Sequence, residues 1–93
     1  MAFITKEIEL TQDWQLLLDN TGDNANADNS FYVNEGSAIF VYSDNKPTIN
    51  NGMRISAGAR IIPVPVGAKL WGKLNINPDH CTVMVNVDEW KGD

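Results

Sequence analysis

What this chain has little of already narrows it. It holds one cysteine, Cys81, among 93 residues, so no internal disulfide can brace the fold. No apolar run approaches the roughly 18 residues of a membrane span. Cations are scarce and scattered singly, 7 Lys and Arg against 12 Asp and Glu, for a net charge of −5. Nucleic-acid binders gather a basic patch, so no nucleic-acid partner is expected. The same balance works against an anionic membrane surface, and no membrane partner is expected either. The opening MAFITKEIELTQDW lacks the long apolar stretch and small-residue cleavage site of a signal peptide. Asn-x-Ser/Thr sequons are absent, which argues against a secreted glycoprotein. These features predict synthesis in a cytoplasm. A domain of this size buries only about 60–65% of its unfolded surface. Without disulfides, oligomerisation or docking is the expected further support.

What is present is a rhythm of short apolar runs between Gly, Pro and Asn-Asp punctuation. Phe3 to Leu10 alternates, with Ile4, Ile8 and Leu10 on one face and Thr5, Glu7 and Glu9 on the other; it reads as an edge strand with one wet face. Thr11 to Asn20, TQDWQLLLDN, fits either a short helix capped by Thr11 or a strand, and its β surroundings favour the strand. Asp19 to Ser30, DNTGDNANADNS, is turn-forming throughout and is expected to be an exposed loop. Phe31 to Val33 precedes a turn at Asn34 to Gly36. Ala38 to Ser43, AIFVYS, reads as a buried central strand. Asn51-Gly52 is a hairpin signal. Arg60 to Val66 is apolar but carries Pro63 and Pro65, so it lies at an edge or crosses between sheets. Lys69 to Leu74 is another strand. Cys81 to Val87, CTVMVNV, is the cleanest, with Val83, Val85 and Val87 on one face. The prediction is all-β: one small antiparallel β-sandwich or β-barrel of about seven or eight strands over residues 1–93, with an N-terminal arm at 1–6 and an exposed loop at 19–30.

No catalytic constellation interrupts this rhythm, and the chain is predicted not to be an enzyme. His80 and Cys81 are adjacent, but neighbours entering a strand point to opposite faces, so they cannot make a nucleophile pair. The acids Asp13, Asp19, Asp23, Asp28, Asp44, Asp79, Asp88 and Glu89 fall in loops and at strand ends, where acids are ordinary. Glycoside hydrolysis would need two of them facing across a cleft. Asn24, Asn26, Asp28 and Glu35 mimic positions 1, 3, 5 and 12 of a calcium loop, with Phe31 at the apolar position. Asn24 stands where Asp belongs, Asn29 where Gly belongs, and no helices flank the loop. A solvated hairpin loop is the better reading, and no metal or other cofactor is expected. Trp14, Trp71 and Trp90 are many for this length. Trp14 reads as core and Trp71 equally as core or interface. Trp90, near the chain end, joins Phe3 and Ile4 as a candidate contact to another subunit.

The succession FYVNEGSAIFVYSDNKP, MRISAGARIIPVPVGAKLWGKL and CTVMVNV, about two-thirds of the chain, resembles small virion proteins of tailed bacteriophages. The likeness is to head-decoration (capsid cement) proteins and the β modules of phage fibres. The resemblance implies a non-enzymatic structural role in the virion, with the major capsid protein or another virion protein as partner. It also implies a homo-oligomer, a trimer above other states, that stabilises the phage head. Phe3, Ile4, Trp71 and Trp90 are then the candidate interface. The alternative is a carbohydrate- or receptor-binding β module, such as a fibre or adhesin domain, carried by exposed tryptophans and the Asp-Asn loop.

Overall fold

The computed structural model describes residues 3–22, 25–49, 51–58, 60–74 and 80–88. Eight strands follow in order: β1 (Phe3–Glu9), β2 (Gln15–Asp19), β3 (Ser30–Glu35), β4 (Ser37–Tyr42), β5 (Met53–Ser56), β6 (Ile62–Pro63), β7 (Lys69–Leu74) and β8 (Thr82–Asp88). They form two four-stranded sheets, β1-β8-β3-β6 and β2-β7-β4-β5. Every pairing is antiparallel. The chain doubles back as a ribbon that pairs β1 with β8, β2 with β7, β3 with β6 and β4 with β5. The ribbon then rolls so that β8 meets β3 and β7 meets β4. This is the jelly-roll arrangement of a two-sheet sandwich, and the sheets do not close into a barrel.

Alternation within each strand builds the core. In the first sheet Ile8, Val83 and Val33 align across three strands, as do Val85, Phe31 and Ile62. In the second, Leu70, Gly72 and Leu74 face inward with Phe40 and Ala38. Phe31 and Phe40 join the layers, with ring centroids 5.3 Å apart. Phe40 lies directly across from Gly72, where a Cβ would stand 2.7 Å from Leu17 Cδ1 and 3.0 Å from the Phe40 ring. The bare backbone there lets the aromatic ring lie flat on the sheet.

Residues 3–6 of the expected arm belong to β1, which pairs with β8 over its whole length, and residues 1 and 2 lie outside the described residues. The β8 valines supply an apolar stripe that Ile4 and Ile8 match. Two expectations need correction. The 19–30 loop is not simply exposed, since Asn20, Asn29 and Ser30 are buried. Asn20 Nδ2 donates to the carbonyls of Asn26 (3.0 Å) and Val64 (2.7 Å). Its Oδ1 accepts from Asn26 N (2.8 Å) and Asn29 Nδ2 (2.7 Å). Polar residues are buried here because every bonding position of one amide is filled. Asn51-Gly52 does not form a tight hairpin turn. β4 and β5 do pair, with Phe40 opposite Met53, but residues 43–49 and 51–52 lie outside both strands as a long connection. Gly52 lacks the positive φ of a primed turn.

The remaining segments follow the pattern. Within TQDWQLLLDN, Gln15–Asp19 is a strand, and a bulge between Leu16 and Leu18 buries both Leu17 and Leu18 and leaves Leu16 exposed. β6 is a two-residue edge strand carrying Pro63, and the chain then crosses to the other sheet.

Candidate functional site

The jelly roll is unevenly covered. β6 spans two residues, so the first sheet offers little to lay over β5. The inner face of β4 and β5 therefore runs past the core and emerges at the sandwich's open side. Tyr42 and Met53 share that face with fully buried Phe40, yet are 40% and 47% exposed. With Val41, Ile49, Asn51 and Gly52 they line a groove of about 450 Å³. A second hollow, lined by Ser43, Lys46, Pro47 and Thr48, continues it along the same loop. Partial burial raises the pKa of the Tyr42 phenol, so it stays a neutral hydrogen-bonding group at the groove wall.

Two tryptophans hold the wall in place. Trp14 Nε1 donates to the Ile49 carbonyl at 2.8 Å, and Trp71 Nε1 donates to the Ser43 carbonyl at 2.8 Å. Each end of the loop is thus fastened to the outer face of the second sheet. Trp14 is buried as expected, but not in the shared core. It lies on the far side of its sheet, where Lys73, alternating with inward Gly72 and Leu74, places Nζ 5.6 Å from the ring centroid. Lys46 adds a 2.8 Å ion pair with Asp13. That bond pulls the Asp13 carboxyl below its usual pKa, although an exposed pair of this kind stabilises little.

Of the candidate interface residues, Ile4 is 43% exposed on edge strand β1. Phe3 lies on the same strand. Trp71 is half-buried and its N–H is committed to the loop. Trp90 lies outside the described residues. The structure does not bring Ile4 and Trp71 together: they belong to different sheets. The groove residues Tyr42, Ile49 and Met53 were not singled out from sequence. The one local signal for any of them is Ile49, a lone aliphatic in DNKPTINNG.

His80 and Cys81 part as their position dictates. Cys81 is fully buried, and His80 is exposed, its Nδ1 3.1 Å from Glu9 Oε2 and its Nε2 3.2 Å from Glu35 Oε1. Glu35, a candidate calcium ligand by spacing, thus faces His80, and Asn24 lies outside the described residues. Among the described residues no cluster of His, Cys, Asp or Glu is arranged to hold a metal ion.

Burial pushes the Cys81 thiol up to about 11 from an ordinary 9.0. The folded state favours the neutral thiol, so this contribution to stability is complete below pH 9 and lost as pH rises to about 11. Urea midpoints should fall over that window more in the natural chain than in Cys81→Ala. A thiol reagent should react with the folded protein only at the rate of unfolding.

Comparison with known proteins finds no matching family model, no similar curated protein and no similar solved structure.

Proposed function

We propose that this chain is a non-enzymatic structural protein of a tailed-phage virion, a decoration protein that docks on the capsid and stabilises the head. The observation that carries the reading is the apolar groove of Tyr42, Ile49 and Met53, left uncovered among the described residues, whose wall is fastened by Trp14 and Trp71. A shallow, exposed apolar surface on a small domain with no disulfide suits docking, because a partner that binds only the folded state also stabilises it. Many copies on one lattice turn modest single contacts into strong attachment. Jelly rolls serve in viral capsids, lectins and cupins alike, so the fold is compatible with the reading and does not select it. A sugar-binding role draws less support. Aromatic platforms present a free ring face, whereas Trp14 is buried and Trp71 half-buried beneath the loop.

The test is co-sedimentation with emptied heads of the phage that carries the gene. The natural chain should pellet with the heads and raise their melting temperature. Met53→Asp, at an exposed position, should keep the fold and lose at least tenfold in affinity, because an unpaired carboxylate would enter an apolar contact. Failure of the natural chain to bind heads would overturn the reading.

A further inference from the structure

A β-sheet edge is a row of unpaired backbone groups, and proteins protect such edges with charge, proline, bulges or brevity. Among the described residues the two sheets have four edges, and β5 is the least protected of them. β1 carries Glu7 and Glu9 on its outer face and turns Lys6 toward the inner one, in register with Val85. β2 is broken by the bulge at Leu16–Leu18. β6 stops after two residues at Pro63. β5, Met53-Arg54-Ile55-Ser56, has no proline and no bulge, and its one charge is Arg54.

The phase of its hydrogen bonds is fixed. The Ala57 N–H donates to the Gly36 carbonyl at 2.7 Å, and the β4–β5 register places these two residues opposite each other. Bonded pairs alternate along an antiparallel ladder. Ile55 and Met53 therefore bond to β4, while the backbone N–H and C=O of Arg54 and Ser56 point away from it.

We propose that two copies of this chain pair antiparallel through β5, about a two-fold axis at Ile55, to make one continuous eight-stranded sheet. The sequence of the edge is self-complementary in that register. Arg54 exchanges both backbone bonds with the partner's Ser56, and Ser56 with the partner's Arg54. Each arginine thus faces a serine, and like charges do not oppose. On the inner face Ile55 meets the partner's Ile55, and Met53 meets the partner's Ala57. Pairing would cover the exposed Met53 that β6 is too short to reach. The resulting assembly is a two-fold dimer, unlike the trimer that the phage resemblance implies. Because it covers Met53, it competes with docking through the groove, and substitutions at Ser56, which does not line the groove, separate the two.

The experiment is sedimentation equilibrium of the full chain from about 10 μM to 1 mM, with paired substitutions at Ser56. Its side chain is exposed beside Arg54, away from the core. Ser56→Glu would place a carboxylate opposite each partner arginine and should tighten dimerisation about three- to tenfold. Ser56→Arg should weaken it by a similar factor, and both shifts should shrink in high salt. Ser56→Pro removes one outward donor per chain and should leave a monomer whose thermal melt stays cooperative. A natural chain that remains monomeric at 1 mM, a trimer, or a dimer whose affinity moves in the same direction with Glu and Arg would each overturn the proposal.

Discussion

Replacing Gly36 by alanine is expected to unfold this protein or leave it severely destabilised. Gly36 sits where the chain leaves the first sheet and enters the second, between β3 and β4. Its φ is +76°, a region that costs a side-chain-bearing residue of order 1–3 kcal/mol. A Cβ there would also overlap the His80 carbonyl oxygen and press within 3.1 Å of Cys81 Cα. Those obstacles are backbone, so they cannot rotate away as a side chain would. Relief would require moving the start of β8, which bonds to β1 and β3 on either side. Overpacking adds roughly 1–3 kcal/mol. The sum, about 3 kcal/mol or more, is a large fraction of the 5–15 kcal/mol typical of a whole domain. Urea unfolding followed by tryptophan fluorescence measures it. Gly58→Ala is the control, because its φ is also positive but a Cβ there meets nothing within 4 Å. A Gly36→Ala midpoint equal to that of Gly58→Ala would show that the crossing tolerates a side chain.

Asn20→Ala should be nearly as damaging for a different reason. The Asn20 amide uses both donors and both acceptor positions inside the protein, bonding Asn26, Asn29 and Val64. Its own backbone bonds Ala68 and Gly67. The residue thus ties the loop after β2 to the segment between β6 and β7, far along the chain. Removing the side chain takes a donor from the Val64 carbonyl and an acceptor from the Asn26 N–H and the Asn29 amide, while the Asn26 carbonyl keeps the Asn29 N–H. Each unsatisfied buried group costs about 1–3 kcal/mol. Some would reach water, so a total of about 3–5 kcal/mol is expected. Asn20→Asp should be no milder, since a buried carboxylate would face two carbonyl oxygens where the amide donates. Asp28→Ala, exposed on the same loop, should change stability by less than about 0.5 kcal/mol. Thermal and urea midpoints of the three variants test the ordering, and an Asn20→Ala protein as stable as Asp28→Ala would refute the anchoring role.

These two residues show how legibility divides. Gly36 stands out in sequence as part of a turn, and the turn is there. That it switches sheets, and that His80 closes over it, depends on a residue 44 positions later. Asn20 and Asn29 read as solvated loop residues because asparagine in a polar run usually is. Their burial needs Val64, which sequence proximity cannot supply. Trp14 was legible as buried and Trp71 as ambiguous, but not their shared task of fastening the connection between β4 and β5. The groove was illegible for a related reason: Tyr42 and Met53 lie on a face that would be core if β6 were longer.

The sequence by itself determined the class of structure and most of its strands. Period-two alternation in Phe3–Glu9, Lys69–Leu74 and Thr82–Asp88 is a local property, imposed by the backbone pleat and readable one segment at a time. Pro63 and Pro65 excluded a central strand between them by the same local chemistry. Only the tertiary structure decided which strands are neighbours, which edge stays open and where the core runs out. Those outcomes rest on contacts between distant segments, the pairing of β1 with β8 above all. Alternation alone does not name a strand's partner, because every half-buried strand offers the same apolar stripe.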